Sequence, residues 1–109
     1  MITERYGIYL AALEPPVGRE IAKTRPVVVV SLDVLNRVLD TVVVCPLTTK
    51  LHPGWRSRLP VRCAGKPAEI AMDQIRTIST LRLVRKVDTL GAAAAEKLCR
   101  LIVEMYGMP

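Results

Sequence analysis

The sequence predicts a mainly β fold closed by one C-terminal helix: a small twisted barrel or curled sheet with the helix packed against it. Three observations predict it. Val, Ile and Thr supply 14, 7 and 8 of the 109 residues, and β-branched side chains favour strands. Short apolar runs are separated by Pro and Gly. The apolar spacing turns helical only after Gly91. Half of the chain is hydrophobic, enough for one core, and it carries no repeat, linker or composition break. Residues 1–109 are therefore expected to form one domain.

The elements follow in order. Gly7 to Leu13 reads as a first strand, ended by Glu14-Pro15-Pro16. A loop runs through Val17-Gly18-Arg19-Glu20 to Thr24, and Pro26 to Leu32 is a second strand with Pro at its first position. Val28 to Val30 lacks alternation, which predicts cover on both faces. Val34 to Arg37 is a short helical turn or loop. Thr41 to Cys45 is a third strand, closed by Pro46. His52-Pro53-Gly54-Trp55 marks a loop between Lys50 and Ser57. Arg58 to Arg62, Glu69 to Met72, Gln74 to Ser79 and Leu83 to Val87 supply shorter strands, the last at an edge. From Gly91 to Gly107 the residues Ala94, Leu98, Leu101, Ile102 and Met105 fall on one helical face. Ala92 to Ala95 favour the helix start, and Gly107 suits the position past its end.

Charge narrows the function. The net charge is +6, and it is concentrated: Lys50 to Lys86 carries +7 and the remainder −1. Most of these cations are Arg, whose planar fork matches phosphate oxygens. Nucleic acid is the expected partner. With no Phe, three Tyr and one Trp, a multi-base stacking sheet is not expected. Trp55, beside Gly54 and Arg56, either stacks on a base, takes a partner's side chain, or closes one end of the core. Cys45, Cys63 and Cys99 are odd in number, far apart and without CxxC spacing, so neither a disulfide framework nor a zinc site is indicated. His52 is the only histidine. No metal site and no cofactor is expected. The charged first residues lack the apolar segment of a secretory signal, and no apolar run approaches the length that spans a membrane, so a cytoplasmic protein is expected.

Walker A, Rossmann, HExxH and GxSxG motifs are absent. Short patches stand instead in a fixed order: Gly7-Ile8-Tyr9, Pro16-Val17-Gly18-Arg19-Glu20, Lys23-Thr24-Arg25-Pro26 running into Val27 to Ser31, and Asn36. Val44-Cys45-Pro46-Leu47-Thr48-Thr49, Asp73-Gln74-Ile75-Arg76-Thr77-Ile78 and Arg82-Leu83 complete the series. This order resembles the MazF/PemK family of type II toxin–antitoxin endoribonucleases over nearly the whole chain. The resemblance implies an SH3-like barrel with a C-terminal helix, working as a homodimer. It also implies metal-independent cleavage of single-stranded RNA at short sequences, and inhibition by a cognate antitoxin.

The residues suit that chemistry. Metal-free cleavage uses the 2′-OH as nucleophile. It requires a proton acceptor, a clamp for charge at phosphorus and a donor to the leaving 5′ oxygen. The resemblance assigns the catalytic pair to Arg25 and Thr48. Taken alone, Arg25 also reads as an ion-pair partner of Glu20, and Thr48 as a turn cap. Glu20 and Asp73 are the candidates for acid–base work or substrate positioning, with Asp73 also reading as an anchor for a neighbouring loop. Arg19, Lys50, Trp55, Arg56, Gln74 and Arg76 are the expected RNA contacts.

Two departures stand out. Arg5-Tyr6-Gly7 replaces an Arg-Gly-Asp type tripeptide, and Arg19 fills a position where small residues or His are frequent. The competing readings are a CcdB-like toxin that binds gyrase, and a non-catalytic nucleic-acid-binding barrel. The CcdB-type site relies on a Trp near the C-terminus, where this chain has Glu104-Met105-Tyr106-Gly107-Met108-Pro109.

Overall fold

The computed structural model describes residues 2–13 and 23–107. Among the described residues seven strands and two α-helices follow one another: β1 Gly7–Ala12, β2 Thr24–Val29, α1 Asp33–Asn36, β3 Thr41–Thr48, β4 Arg58–Cys63, β5 Lys66–Ala71, β6 Arg76–Ser79, β7 Leu83–Thr89 and α2 Ala92–Tyr106. The strands pair antiparallel in the order β4-β5-β3-β2-β1-β7, with β6 on β3. The expected β fold with a C-terminal helix is present. Among the described residues no helix is long and apolar enough to cross a membrane.

Strand β3 is the shared element. Its first half, Thr41 to Val44, pairs with β6, and its last residues, Leu47 and Thr48, pair with Ile70 and Glu69 of β5. On its other side Val44, Cys45 and Pro46 face Val29, Val28 and Val27 of β2. The sequence reading closed this strand at Pro46. It continues to Thr48 because Pro46 falls where β3 has left β6 and not yet met β5. On that side a missing N–H costs no bond to β6 or β5. Pro26 is likewise the third residue of its strand, not the first, and β2 ends at Val29, not Leu32. Pro26 bonds in register with Leu10 on one side only, since the β2–β3 ladder stops at Val27 and Pro46. Two prolines thus end that ladder, and beyond them β2 and β3 diverge.

The central strands are buried on both faces, as the unbroken valine run predicts. Ile8, Val28, Cys45 and Leu47 join Ile70, Met72 and Leu98 of α2 in one core. Tyr9, Val27, Val29 and Val44 join Val42, Ile78 and Leu83 in another. The period of two sends alternate residues of β1, β2 and β3 to opposite cores.

Helix α2 buries Ala95 and Leu98 and half-buries Ala94, Leu101 and Ile102. Met105, expected on that face, is exposed. It lies in the last turn of the helix. The hydroxyl of Tyr106 ties this end down by donating to the Met72 carbonyl at 2.7 Å. Gly107 keeps φ at −86°, so its role is not a left-handed cap. A Cβ there would run into the Val103 carbonyl.

Tyr6 explains the altered tripeptide. Its φ is +66°, a left-handed conformation that favours the glycine frequent at this place. Compensation comes from contacts: Tyr6 packs on the α2 core, and the Arg5 guanidinium lies 4.7 Å over its ring.

Candidate functional site

Thr48, the last residue of β3, lies at the junction of two cavities. Its side chain is nearly enclosed, and its Oγ1 accepts the Lys50 N–H at 3.1 Å.

The smaller cavity, about 270 Å³, opens where β2 and β3 diverge. Arg25 and Pro26 line it from β2, Leu47 and Thr48 from β3, and Lys66 and Arg85 from β5 and β7. Three cations converge there, and no carboxylate is among the described lining residues. Such a site favours an anion at the Thr48 hydroxyl. Cys63 also lines it, but burial, and next the Asp88 charge, push its thiol up. It stays protonated and is a poor nucleophile.

The larger cavity, about 660 Å³, lies on the other side of Thr48 and is lined also by Lys50, His52, Trp55, Arg58, Asp73 and Gln74. Its rim is the loop 49–57. Gly54, with φ +85°, allows a tight turn that closes on a Trp55 N–H to His52 carbonyl bond of 3.2 Å. The two rings then stack, 3.9 Å apart and 11° from parallel. Glu69, only 2% exposed, holds the loop by accepting the His52 N–H at 2.9 Å.

Arg58 forms the cavity wall. Its Nε donates to Asp73 Oδ1 at 3.2 Å, its Nη1 stands 3.8 Å from Glu69 Oε1, and its guanidinium lies 5.2 Å over the Trp55 ring. The nearby Cys45 thiol is pushed up to about 12, first by burial and then by the Asp73 charge. Burial, and then Cys45 and Asp73, also push the Tyr106 hydroxyl up, so it remains a donor to Met72.

The structure brings Arg25 and Thr48 together in one cavity, and Thr48, Lys50, Trp55, Asp73 and Gln74 in the other. Arg56 is exposed in the loop and Arg76 is half-buried on β6; neither lines either cavity. Arg19 and Glu20 lie outside the described residues. Asp73 Oδ1 accepts from Arg58 at the start of strand β4, not from a neighbouring loop. Sequence reasoning missed His52, Arg58, Lys66, Glu69 and Arg85. One signal was available: Glu69 and Asp73 are the only two acids in the +7 segment, and both face Arg58. No cluster of three or more His, Cys, Asp or Glu side chains occurs among the described residues.

Comparison with known proteins is consistent with this geometry. Residues 4–106 match the family of PemK-like, MazF-like toxins of type II toxin–antitoxin systems. The chain is 31% identical over 105 residues to Endoribonuclease EndoA of Bacillus subtilis, covering 89% of this chain and 88% of that protein. Among solved structures it is similar to the Mycobacterium tuberculosis toxin MazF-mt6, with a TM-score of 0.78, 25% identity, and coverage of 94% and 98% of the two chains. It also shares the fold of MazF from Deinococcus radiodurans, with a TM-score of 0.85, 18% identity and 99% of both chains covered.

Proposed function

Because the chain belongs to the MazF/PemK toxin family of type II toxin–antitoxin systems, we propose that its two joined cavities bind and cleave single-stranded RNA. One observation carries this reading: Arg25, Lys66 and Arg85 meet the Thr48 hydroxyl in a cavity without a described carboxylate. A scissile phosphate fits that environment. The 2′ oxygen attacks phosphorus and gives up its proton, the bond to the 5′ oxygen breaks, that oxygen takes up a proton from water, and the products are a cyclic phosphate and a 5′-hydroxyl. Arg25 neutralises the charge that grows on the phosphoryl oxygens, and Thr48 donates a hydrogen bond to one of them. Arg25 is not the proton acceptor, since a guanidinium stays protonated. Glu20 is the candidate for that step, while Asp73 positions Arg58. Lys50, Trp55 and Gln74 contact bases beyond the cut, and the cations Arg19, Arg56 and Arg76 add attraction for the strand.

The working form is a cytoplasmic homodimer held inactive by an antitoxin. Support for a dimer comes from Leu32, Val34, Leu35, Val38 and Leu39, which are all exposed. An apolar patch of that kind marks an interaction surface. Support for an antitoxin comes from family membership, and from similarity in fold, at a TM-score of 0.80 and 19% identity, to a mycobacterial endoribonuclease in complex with its cognate antitoxin.

The test is incubation of the pure protein with a long single-stranded RNA in excess EDTA, followed by end analysis. Cleavage that persists and leaves 5′-hydroxyl ends supports the reading. Activity lost in EDTA and restored by magnesium overturns the mechanism, and gyrase inhibition without RNA cleavage favours the CcdB-like alternative.

A further inference from the structure

Arg58 is unusual in the cavity wall. Its side chain is only 7% exposed, yet among the described residues its Nη1, enclosed beside Glu69, has no hydrogen-bond partner. Glu69 Oε1, at 3.8 Å, is too far to accept from it. A buried unsatisfied donor is costly, and here it belongs to a guanidinium whose other edge bonds Asp73. The guanidinium lines the larger cavity beside Asp73, and a ligand oxygen arriving there meets it with Nη1 still turned to Glu69. Asp73 is 36% exposed on its side chain and accepts from Arg58 through Oδ1. The cavity therefore presents a donor and a carboxylate side by side, next to an aromatic wall of stacked His52 and Trp55.

That pairing selects among bases. A carboxylate seeks two neighbouring donors, and the guanidinium seeks an acceptor next to them. Guanine alone offers this on its Watson–Crick edge: O6, then N1–H and the N2 amino group. Cytosine has one amino donor, as does adenine, and uracil flanks its N3–H with two carbonyls that a carboxylate repels.

We propose that the larger cavity is a guanine-reading subsite. Arg58 donates to O6, and Asp73 accepts from N1–H and N2–H. Glu69 is a positioning residue. It fixes the guanidinium from behind and, through the His52 N–H, the aromatic wall. This rests on the RNA-cleaving reading above and names the base that the same site takes.

Trp55 is the only tryptophan in the chain, so its emission reports directly from the cavity. The full-length protein is titrated with GMP, AMP, CMP and UMP. GMP should change the emission saturably at concentrations at least about tenfold below the other three. Asp73→Asn, which has one acceptor oxygen where Asp has two, should bring GMP to within about threefold of CMP. Glu69→Gln keeps an acceptor for His52 but loses the charge behind Arg58. It should lower the GMP-to-AMP preference while the emission maximum of the free protein stays in place, a combination that a purely structural role does not give. Equal binding of the four nucleotides, a cytosine preference, or an unchanged GMP preference in Asp73→Asn overturns the proposal. Because binding is read without cleavage, the two readings separate. GMP selectivity in a protein that cuts no RNA overturns the proposed function and supports the subsite. RNA cleavage with no guanine at a fixed offset from the mapped cuts, and no response to GMP, overturns the subsite alone.

Discussion

Replacing Thr48 by Val separates catalysis from local architecture. The substitution keeps β-branching and nearly the same volume at a position that is 9% exposed, and it deletes one oxygen. In the folded protein that oxygen accepts a single hydrogen bond, from the Lys50 N–H at 3.1 Å. Lys50 is exposed, so its amide turns to water when the acceptor goes. The expected cost is that of one ordinary hydrogen bond, about 0.5–1.5 kcal/mol. Against a total stability of roughly 5–15 kcal/mol, the protein remains folded. If the hydroxyl also stabilises charge on the phosphoryl group, its removal should slow cleavage by about a hundredfold or more, equivalent to about 2.7 kcal/mol in the transition state. The assay is paired: urea denaturation followed by Trp55 emission, and single-turnover cleavage of a single-stranded RNA in EDTA. Thr48→Ser, which restores the hydroxyl, should recover most of the rate. If Thr48→Val cleaves within about threefold of the wild-type rate, the hydroxyl is only a turn cap and the catalytic assignment falls.

Arg25→Ala should cost at least about a hundredfold in cleavage while the protein stays a folded dimer; a wild-type rate in this variant combined with an inactive Glu20→Ala would reverse the assigned roles. Val38→Asp places a charge on a side chain that is 74% exposed, so a monomer should keep its fold while sedimentation shows dissociation; an unchanged dimer would move the interface elsewhere. The Asp88 carboxyl accepts from the backbone N–H of Ala64 at 2.8 Å and of Thr89 at 2.8 Å, and these bonds, Ala64 first, hold it below the usual carboxylate range. Its folded value is depressed, so its contribution is present at neutral pH and is lost as pH falls through that folded value. Asp88→Asn should therefore narrow its stability gap from wild type as urea midpoints are taken to lower pH; a gap that is constant with pH would contradict this.

Some of this protein was legible in the residues because the physics is local. Helix α2 announced itself by its spacing, and its ends by Gly91 and Gly107. The valines of β2 and β3 predicted strands with two buried faces, and their side chains do divide between two cores. Arg25 and Thr48 stood out through a motif order that resembles a family. The cavity they share was not legible. It exists because Pro26 and Pro46 fall in register neighbourhoods where the β2–β3 ladder ends, and register is set by pairing partners distant in the chain. The same holds for Ala64. Its φ of +50° is paid for by Asp88, far along the sequence on β7.

The composition, the periodicities and the excess of Arg and Lys between residues 50 and 86 determined the fold class and the expectation of an anionic partner, since each depends on what a residue is. Which charges meet was decided only by tertiary structure. Arg58 lies 11 positions before Glu69 and 15 before Asp73, and the β4–β5 hairpin with the turn after it folds both carboxylates onto one guanidinium. Strand β3, by changing partners from β6 to β5, sets Thr48 between an anion-attracting cavity and a wall of stacked rings. Coulomb and hydrogen-bond energies depend on separation in space, and the linear order of residues does not contain that separation until the strands have paired.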